Sequence, residues 1–426
     1  MLPRAPRVRK RRLRTVGGQR TSCGADLDSE GPSAFGCLRG RDAERESPGR
    51  FLAFEKRTLS EVRHTAGRRA GRLSVGSHQK WSTMLDHSFM QVVGQNMPGK
   101  GRDVMRAIVQ DVYGSADRLR LSEIEKPVMA ASEVLMQVRA AGVDRGTCHL
   151  MRGEPYLMRI LGLGFRGPKN HVPGLDVAGT VAAVGADVTR FQVGDEVFGI
   201  ARGSFAEYAA AREDKLVGKP AGLSFEQAAV IAVSGLAALQ GLHAGRIAAG
   251  QKVLIIGASG GVGTYAVQLA KAFGAKVTGV ASTAKVDLVR SIGADEVIDY
   301  TREDFADGRQ HYDLILDIGG NSRLSRLRRA LTPKGTLVIA GGEGAKWTGV
   351  GRQIRALMLS PVVPQRLTMY ISSTNKRQAD LEALRQQIEA GHLTPIVGKK
   401  YPLPEVPEAI RDLEGGRAQG KLAITV

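Results

Sequence analysis

Residues 253 to 283 read VLIIGASGGVGTYAVQLAKAFGAKVTGVAST, and the small residues at the centre of this stretch are the ones that can do chemistry. The apolar run stops at a glycine turn. Aligned to the spacing G-x-G-x-x-G, the three marked positions are Ala258, Gly260 and Gly263, with Ser259, Gly261 and Val262 between them; Ala replaces the first glycine. Glycine there lets the backbone turn tightly and approach a pyrophosphate. A helix beginning near Gly261 then aims its N-terminal amides at the phosphates. A strand before the turn and another after the helix complete the context that separates a dinucleotide site from an ordinary strand-to-helix turn.

The end of the second strand decides which dinucleotide. NAD sites place Asp or Glu there, about 20 residues after the glycines, to accept from the ribose 2′-hydroxyl. Here VTGVA runs into Ser282, Thr283, Ala284 and Lys285, and no carboxylate stands at the tip. Two hydroxyls and an ammonium suit a 2′-phosphate, which an aspartate would repel, so the expected cofactor is NADPH. Lys285 also fits the plainer reading of a solvated lysine at a helix start.

No strong acid–base pair and no metal set accompany the turn. The three cysteines are Cys23, Cys37 and Cys148, with no CxxC and no Cys/His group at the spacing of a zinc site. The expectation is no metal, no disulfide framework, and a reducing, cytoplasmic setting.

The elements that must position these residues follow from the pattern around them. Segments 253–257, 277–281, 296–299, 313–318, 336–340 and 366–371 read as strands, with helices between them that include 262–273 and 284–292. Alternation of this kind implies a parallel sheet with right-handed crossovers. Upstream, from Met105 to about residue 229, MRAIVQDVYG, EVLMQVRAAGV and VAGTVAAVGADVTRFQVGDEVFGI are short β-type runs broken by Gly, Asp and Pro. The expected class is α/β, a β-rich domain over 105–229 followed by a doubly wound parallel sheet over 230–371. Residues 372–426 hold one more helix, ADLEALRQQIEAG, then PIVGKKYPL and GKLAITV, two strands that return to the first domain.

The composition, 42% hydrophobic and 24% charged, is that of a soluble globular protein, and no apolar run approaches the roughly 20 residues of a membrane helix. The 53 glycines have no period. Of the net charge of +19, more than half sits in residues 1–104, which hold 21 Lys/Arg against 10 Asp/Glu. That segment opens with RAPRVRKRRLR and lacks a sustained period, so it reads as a basic, disordered extension. A transit peptide interrupted by Asp26, Asp28 and Glu30 and a nucleic-acid-binding arm are the competing readings, the last supported by charge alone.

GASGGVGTYAVQLAKAFGAKVTGVAST, SIGADEVIDYTREDF, VPGLDVAGTVAAVGADVTRFQVGDEVFG and GSFAEYAA together resemble the medium-chain dehydrogenase/reductase superfamily, in its zinc-independent quinone oxidoreductase-like branch, which includes zeta-crystallin. The resemblance spans about residues 105 to 426. It implies a GroES-like catalytic domain and a Rossmann domain with the active site in the cleft between them, and a homodimer joined edge to edge through the Rossmann sheets. It also implies hydride transfer from NADPH to a small lipophilic quinone, enone or related carbonyl, in which catalysis is mostly positioning and stabilisation of the developing oxyanion.

Carried over residue by residue, Ser282, Thr283 and Lys285 match the family's 2′-phosphate loop, and Tyr300 matches a tyrosine at the same phosphate. Gly341 and Gly342 match the loop near the nicotinamide. Lys421 falls where the last strand passes the cleft, and Tyr156 resembles an active-site tyrosine. Two positions depart from the family. Asp144 stands where it has Asn, and Asp cannot donate a hydrogen bond while ionised. Ala237 stands where it has Thr, leaving Ser234 as the nearby hydroxyl. The expected active-site pair is Tyr156 and Asp144. The zinc ligand positions of metal-using relatives are not filled by Cys148, His149 or His171. An NADPH-binding regulatory protein with little activity is the alternative that Asp144 and Ala237 keep open.

Overall fold

The computed structural model describes residues 103–156, 159–341, 351–370 and 377–426. The extension expected over 1–104 therefore lies, up to residue 102, outside the described residues. A hairpin of β1 (Val104–Val109) and β2 (Arg120–Glu125) leads to β3 (Glu133–Val143), α1 (Arg145–Arg152), β4 (Asp176–Val184), β5 (Glu196–Ile200), β6 (Tyr208–Arg212) and β7 (Leu216–Gly218). Helices α2 (Phe225–Ala228) and α3 (Ala232–Ala244) follow. Then come β8 (Lys252–Ile256), α4 (Gly261–Ala272), β9 (Lys276–Ala281), α5 (Val286–Ser291), β10 (Glu296–Asp299), β11 (Tyr312–Asp317), α6 (Leu324–Arg329), β12 (Leu331–Ile339), α7 (Gly351–Leu359) and β13 (Arg366–Met369). The chain closes with α8 (Arg377–Glu389), β14 (Val397–Pro402), α9 (Val406–Glu414) and β15 (Lys421–Thr425).

The six segments expected as strands all join one parallel sheet, in the order β10-β9-β8-β11-β12-β13. The reversal of direction at β8 and β11 opens a crevice at their carboxyl ends, where open α/β sheets bind ligands. Strand β8 is apolar at every inner position because both its faces are covered. Val253 and Ile255 enter the core under α3 and α4, whereas Leu254 and Ile256 pack with Leu327 and Leu337 on the other side. Strand β12 begins at Leu331 rather than 336. The register against β11 shifts between Tyr312 and Leu314, and this irregularity absorbs TPKG, which reads as a turn in sequence.

The second sheet has the order β14-β15-β3-β4-β5-β7, with β6 also paired to β3. The last strand, β15, runs antiparallel to β3, Leu422 opposite Val143, so the C-terminus does return to the first sheet. Helix α3 is apolar all round because it is wedged in the core. The stretch Phe225–Ala244 is long and apolar enough by composition to cross a membrane, contrary to the expectation that no run comes near it, but 72% of its apolar window is buried inside the protein.

Candidate active site

The glycine turn is built where the parallel sheet ends. Gly257 closes β8 with φ of +88°, a left-handed conformation that glycine adopts without strain. A Cβ at Gly263 would lie 2.1 Å from the Gly257 carbonyl oxygen, so only glycine lets α4 cross so closely. Ala258 is tolerated in place of the first glycine because Gly279 on β9 leaves room for its methyl; a Cβ there would stand 3.1 Å from that of Ala258. Gly260 is the N-cap of α4 and offers no side chain. The first-turn amides of Gly261, Val262 and Gly263 thus have no side-chain cap, and these residues fit a pyrophosphate. Gly257 was not among the site residues expected from sequence, although a glycine directly after a buried strand is the signal that marks it.

Lys421 needs correcting. Expected at the cofactor, it places its ammonium 2.9 Å from Asp176 Oδ2, with side-chain exposures of 2% and 0%. The other oxygen of Asp176 accepts from Val233 N at 2.6 Å, at the start of α3. Burial raises the Asp176 carboxyl above its ordinary range, and Lys421 pulls against that shift. What Lys421 brings to the glycine turn is its stem, since a Cβ on Gly261 would meet Lys421 Cδ at 2.8 Å. The backbone beside it joins in, Gly420 N donating to the carbonyl of Ser259. The ammonium is spent because a buried charge needs a partner, and an acid at the start of a strand in GLDVAG was the overlooked signal.

The loop after β9 is also more occupied than its sequence implies. Thr283 Oγ1 donates to Asp299 Oδ2 at 2.5 Å and lies 3.0 Å from Thr301 Oγ1. Asp299, at the tip of β10, is held below the usual carboxylate range by Thr283 first and then by Thr301. A carboxylate therefore does stand near this loop, contributed by the third strand and not by the second. Lys285 Nζ donates to the carbonyls of Gly416 and Ala418 at 2.9 and 2.7 Å. Partial burial lowers its pKa, and the two carbonyls answer the need of a half-buried ammonium for acceptors. Ser282 precedes this turn, making no side-chain cap to it, and Tyr300 is 59% exposed.

Asp144 and Tyr156 do not meet in the cleft. Asp144 is the N-cap of α1: Thr147 N donates to Oδ1 at 2.9 Å and Thr147 Oγ1 to Oδ2 at 3.2 Å. Tyr156 faces the Arg159 guanidinium, 4.5 Å from its ring centroid, and Tyr113 takes the same guanidinium at 4.3 Å. Within α1, burial pushes the Cys148 thiol up to about 12. Among the described residues no group of three or more His, Cys, Asp or Glu side chains is placed to hold a metal ion.

The cleft between the two sheets holds a cavity of about 480 Å³. Its lining includes Leu236 and Ala237 of α3, Ile200 at the end of β5, Tyr113, and Tyr370 just after β13. The segment between α1 and β4 supplies Leu163 and Val172, so it flanks the cleft. Neither Tyr156 nor Asp144 lines the cavity, whereas Tyr113 does and donates its hydroxyl to the Gly164 carbonyl at 2.9 Å. Ser234 is buried, and a Cβ on Gly261 would lie 3.3 Å from its Oγ, so its hydroxyl sits by the glycine turn. Gly341 packs against the residue that follows β11, where a Cβ would stand 1.9 Å from the Ile318 oxygen. Arg352 ties that corner, donating to Asp317 Oδ2 at 2.6 Å and to the Gly341 carbonyl at 2.8 Å. Gly342 lies outside the described residues. A hollow of about 540 Å³ beside Gln268 and His392 opens widely to solvent and contains none of these groups.

Known proteins resemble this chain in sequence and in fold. The alcohol dehydrogenase GroES-like domain family matches residues 130–221, and the zinc-binding dehydrogenase family matches residues 292–424. A quinone oxidoreductase of Sus scrofa is 33% identical over 336 residues, covering 76% of this chain and 98% of that protein. A chloroplastic NADPH-dependent alkenal/one oxidoreductase of Arabidopsis thaliana is 34% identical over 339 residues, covering 75% of this chain and 79% of that protein. The solved quinone oxidoreductase from Coxiella burnetii superposes with a TM-score of 0.68 at 28% identity, over 76% of this chain and 99% of that one.

Proposed function

The chain belongs to the medium-chain dehydrogenase/reductase superfamily, in its zeta-crystallin-like quinone oxidoreductase branch, and from that premise we propose an NADPH-dependent, metal-independent reductase of quinones, enones or related carbonyls. It is an oxidoreductase with a nicotinamide cofactor. The observation that carries the finer reading is the cavity, largely apolar and lined by Leu236 and Ala237 of α3, between the first sheet and the crevice of the parallel sheet. A lipophilic carbonyl fits such a cavity better than a sugar or an amino acid does.

The residues that would hold the cofactor are those of the glycine turn, Ala258 to Gly263, with Gly341 at the nicotinamide side and Ser282, Thr283, Lys285 and Tyr300 at the adenosine side. When bound, the cofactor supplies a hydride. The chain's own work is to exclude water from the cavity and to orient the carbonyl acceptor. Asp144 and Tyr156 act as positioning residues, the first by starting α1 and the second by stacking on Arg159. The proton that balances the hydride is taken up from solvent after the transfer, when the product anion meets water; the Tyr113 hydroxyl is engaged with the Gly164 carbonyl at 2.9 Å. Preference for NADPH rests on Ser282 and the ammonium of Lys285 in the loop after β9, whose own tip carries no carboxylate, while the Asp299 carboxylate of β10 is taken up by the Thr283 and Thr301 hydroxyls. Metal independence rests on the ligand set: Cys148 is buried inside α1, and no group of three or more His, Cys, Asp or Glu gathers among the described residues.

A homodimer belongs to the same reading. Strand β13 ends the parallel sheet among the described residues, and Met358 and Val362 beside it are each 75% exposed. Met358→Lys is expected to shift the sedimentation of the full chain from dimer to monomer.

The test of function is reduced-nicotinamide consumption by the full chain, with a quinone and an enone, NADPH and NADH in parallel, and EDTA throughout. Turnover with NADPH that EDTA leaves intact is expected. Tight NADPH binding without turnover of any acceptor would instead favour the regulatory reading.

A further inference from the structure

We propose that the substrate of this cleft carries an anionic group, a carboxylate or a phosphate, held at the cavity mouth by Lys169 and Arg202. The inference rests on the oxidoreductase reading above, because it names the substrate class for the same site.

The cavity is lined by three basic side chains, Lys169, Arg202 and Lys215, and by no Asp or Glu. Lys169 and Arg202 are exposed. Elsewhere this protein pairs its lysines and arginines freely: Lys219 with Glu196, Lys271 with Asp295, Lys400 with Glu226, Arg352 with Asp317. Among the described residues no such ion pair is formed by Lys169 or Arg202. One unpaired surface lysine means nothing. Two or more cations on the wall of one concavity, without a counter-ion in its lining, give a focused positive potential, because the apolar walls hold the field lines inside.

The cofactor's own phosphates do not account for these charges. Its pyrophosphate belongs to the turn at Gly257 to Gly263 and its 2′-phosphate to the loop at Ser282 to Lys285, and none of those residues lines the cavity. Lys169 and Arg202 instead stand on the segment that flanks the cleft and on the loop after β5. They face what enters from solvent. A guanidinium offers a planar fork that matches a carboxylate or phosphate, and an ammonium adds a compact charge. The floor is apolar, with Leu236 and Ala237. The combined chemistry selects an amphiphilic molecule: an unsaturated carbonyl or quinone head directed inward and an anionic end at the mouth.

The test compares two enones of one shape, benzalacetone bearing a para-carboxylate and benzalacetone bearing a para-carboxamide, as acceptors for NADPH with the full chain. The carboxylate is expected to have a kcat/KM about tenfold above that of the carboxamide at low salt, the size of a charge-assisted contact at a partly open site. That ratio should fall towards unity as salt rises, since exposed charges are screened. In the Lys169→Gln, Arg202→Gln double variant the ratio should be lost even at low salt. Equal kcat/KM for the two compounds, or a ratio that persists in the double variant, would overturn the proposal. If neither enone is reduced, the enone-reductase reading fails by itself. Calorimetric titration of the same two compounds then decides the present point: tighter binding of the carboxylate that the double variant loses supports it, and equal binding overturns it.

Discussion

Lys421 Nζ and Asp176 Oδ2 stand 2.9 Å apart with both side chains shut off from solvent, and this pair ties the last strand of the chain to β4. Through its second oxygen Asp176 also receives the amide of Val233 at the start of α3. One carboxylate therefore joins both sheets' territories and the C-terminal return. Asp176→Asn leaves the ammonium buried without its counter-charge, and breaking a buried pair in this way costs about 3–5 kcal/mol. The double variant Asp176→Asn, Lys421→Met removes the stranded charge and is expected to recover much of that loss. Urea unfolding of the wild type, the two single variants and the double variant gives the coupling. A cost below about 1 kcal/mol for Asp176→Asn would show that the pair contributes little to the fold.

Lys285 has two possible employers, the 2′-phosphate and the carbonyls of Gly416 and Ala418 that it holds in this structure. They are separable by cofactor. Lys285→Ala is expected to raise the Kd of NADPH about tenfold or more, the worth of one charge-assisted contact, and to leave that of NADH within about twofold. Fluorescence titration with each reduced cofactor reads both constants. Equal weakening of the two would assign Lys285 to the tether alone, because the tether is indifferent to the 2′-substituent.

Much of this was legible in sequence for a simple reason. Buried parallel strands have no polar face, so VLII and its counterparts stand out as apolar runs, and a glycine turn that a side chain cannot fill leaves few alternatives. The class, the strand set of the parallel sheet and the return of the C-terminus all follow from such local signals. The partners of charged groups did not. Lys421 looked available because sequence shows a lysine near the cleft but not the aspartate 245 positions away that takes its charge. Tyr156 looked like an active-site tyrosine, yet Arg159 lies against its ring and Tyr113 has the place in the cavity. Thr283 looked free for a phosphate, and the carboxylate that takes its hydroxyl is on another strand. Pairing across the fold is a tertiary property, and periodicity carries no information about it.

Asp144 tests how far a departure from the family matters. Its two oxygens serve Thr147, so its task is to begin α1, and a neutral side chain that accepts from the same amide can do that. Asp144→Asn is expected to keep stability within about 0.5 kcal/mol, whereas Asp144→Ala loses the cap and about 1 kcal/mol. Turnover should follow the cap: near wild type for Asn, reduced for Ala. A large fall in kcat for Asn with unchanged stability would mean that the negative charge itself acts on the substrate or cofactor. Thermal unfolding and steady-state rates on the same three proteins separate these outcomes.

Asp412 sets an acid limit to the fold. It accepts from the Tyr401 hydroxyl, from Arg417 Nη2 at 2.5 Å and Nε at 2.8 Å, and from Lys399 at 3.2 Å. The Tyr401 bond first, and then those to Arg417 and Lys399, hold its carboxyl well below the usual carboxylate range. The unfolded chain protonates this group near pH 4, about the ordinary Asp value, while the folded protein keeps it ionised to lower pH. Its contribution to stability is thus fully present above that ordinary value and is lost as pH falls towards the depressed one. The anchored side chain also fixes the turn at residues 415–418, whose carbonyls receive Lys285. Asp412→Asn is expected to flatten the acid side of the stability profile, not to abolish its slope, because Asp295, Asp299 and Asp304 are depressed as well. Urea midpoints followed from neutral pH down through the carboxylate range would show it. Profiles for wild type and variant that run parallel over that range would mean the Asp412 cluster forms equally well with the carboxyl protonated.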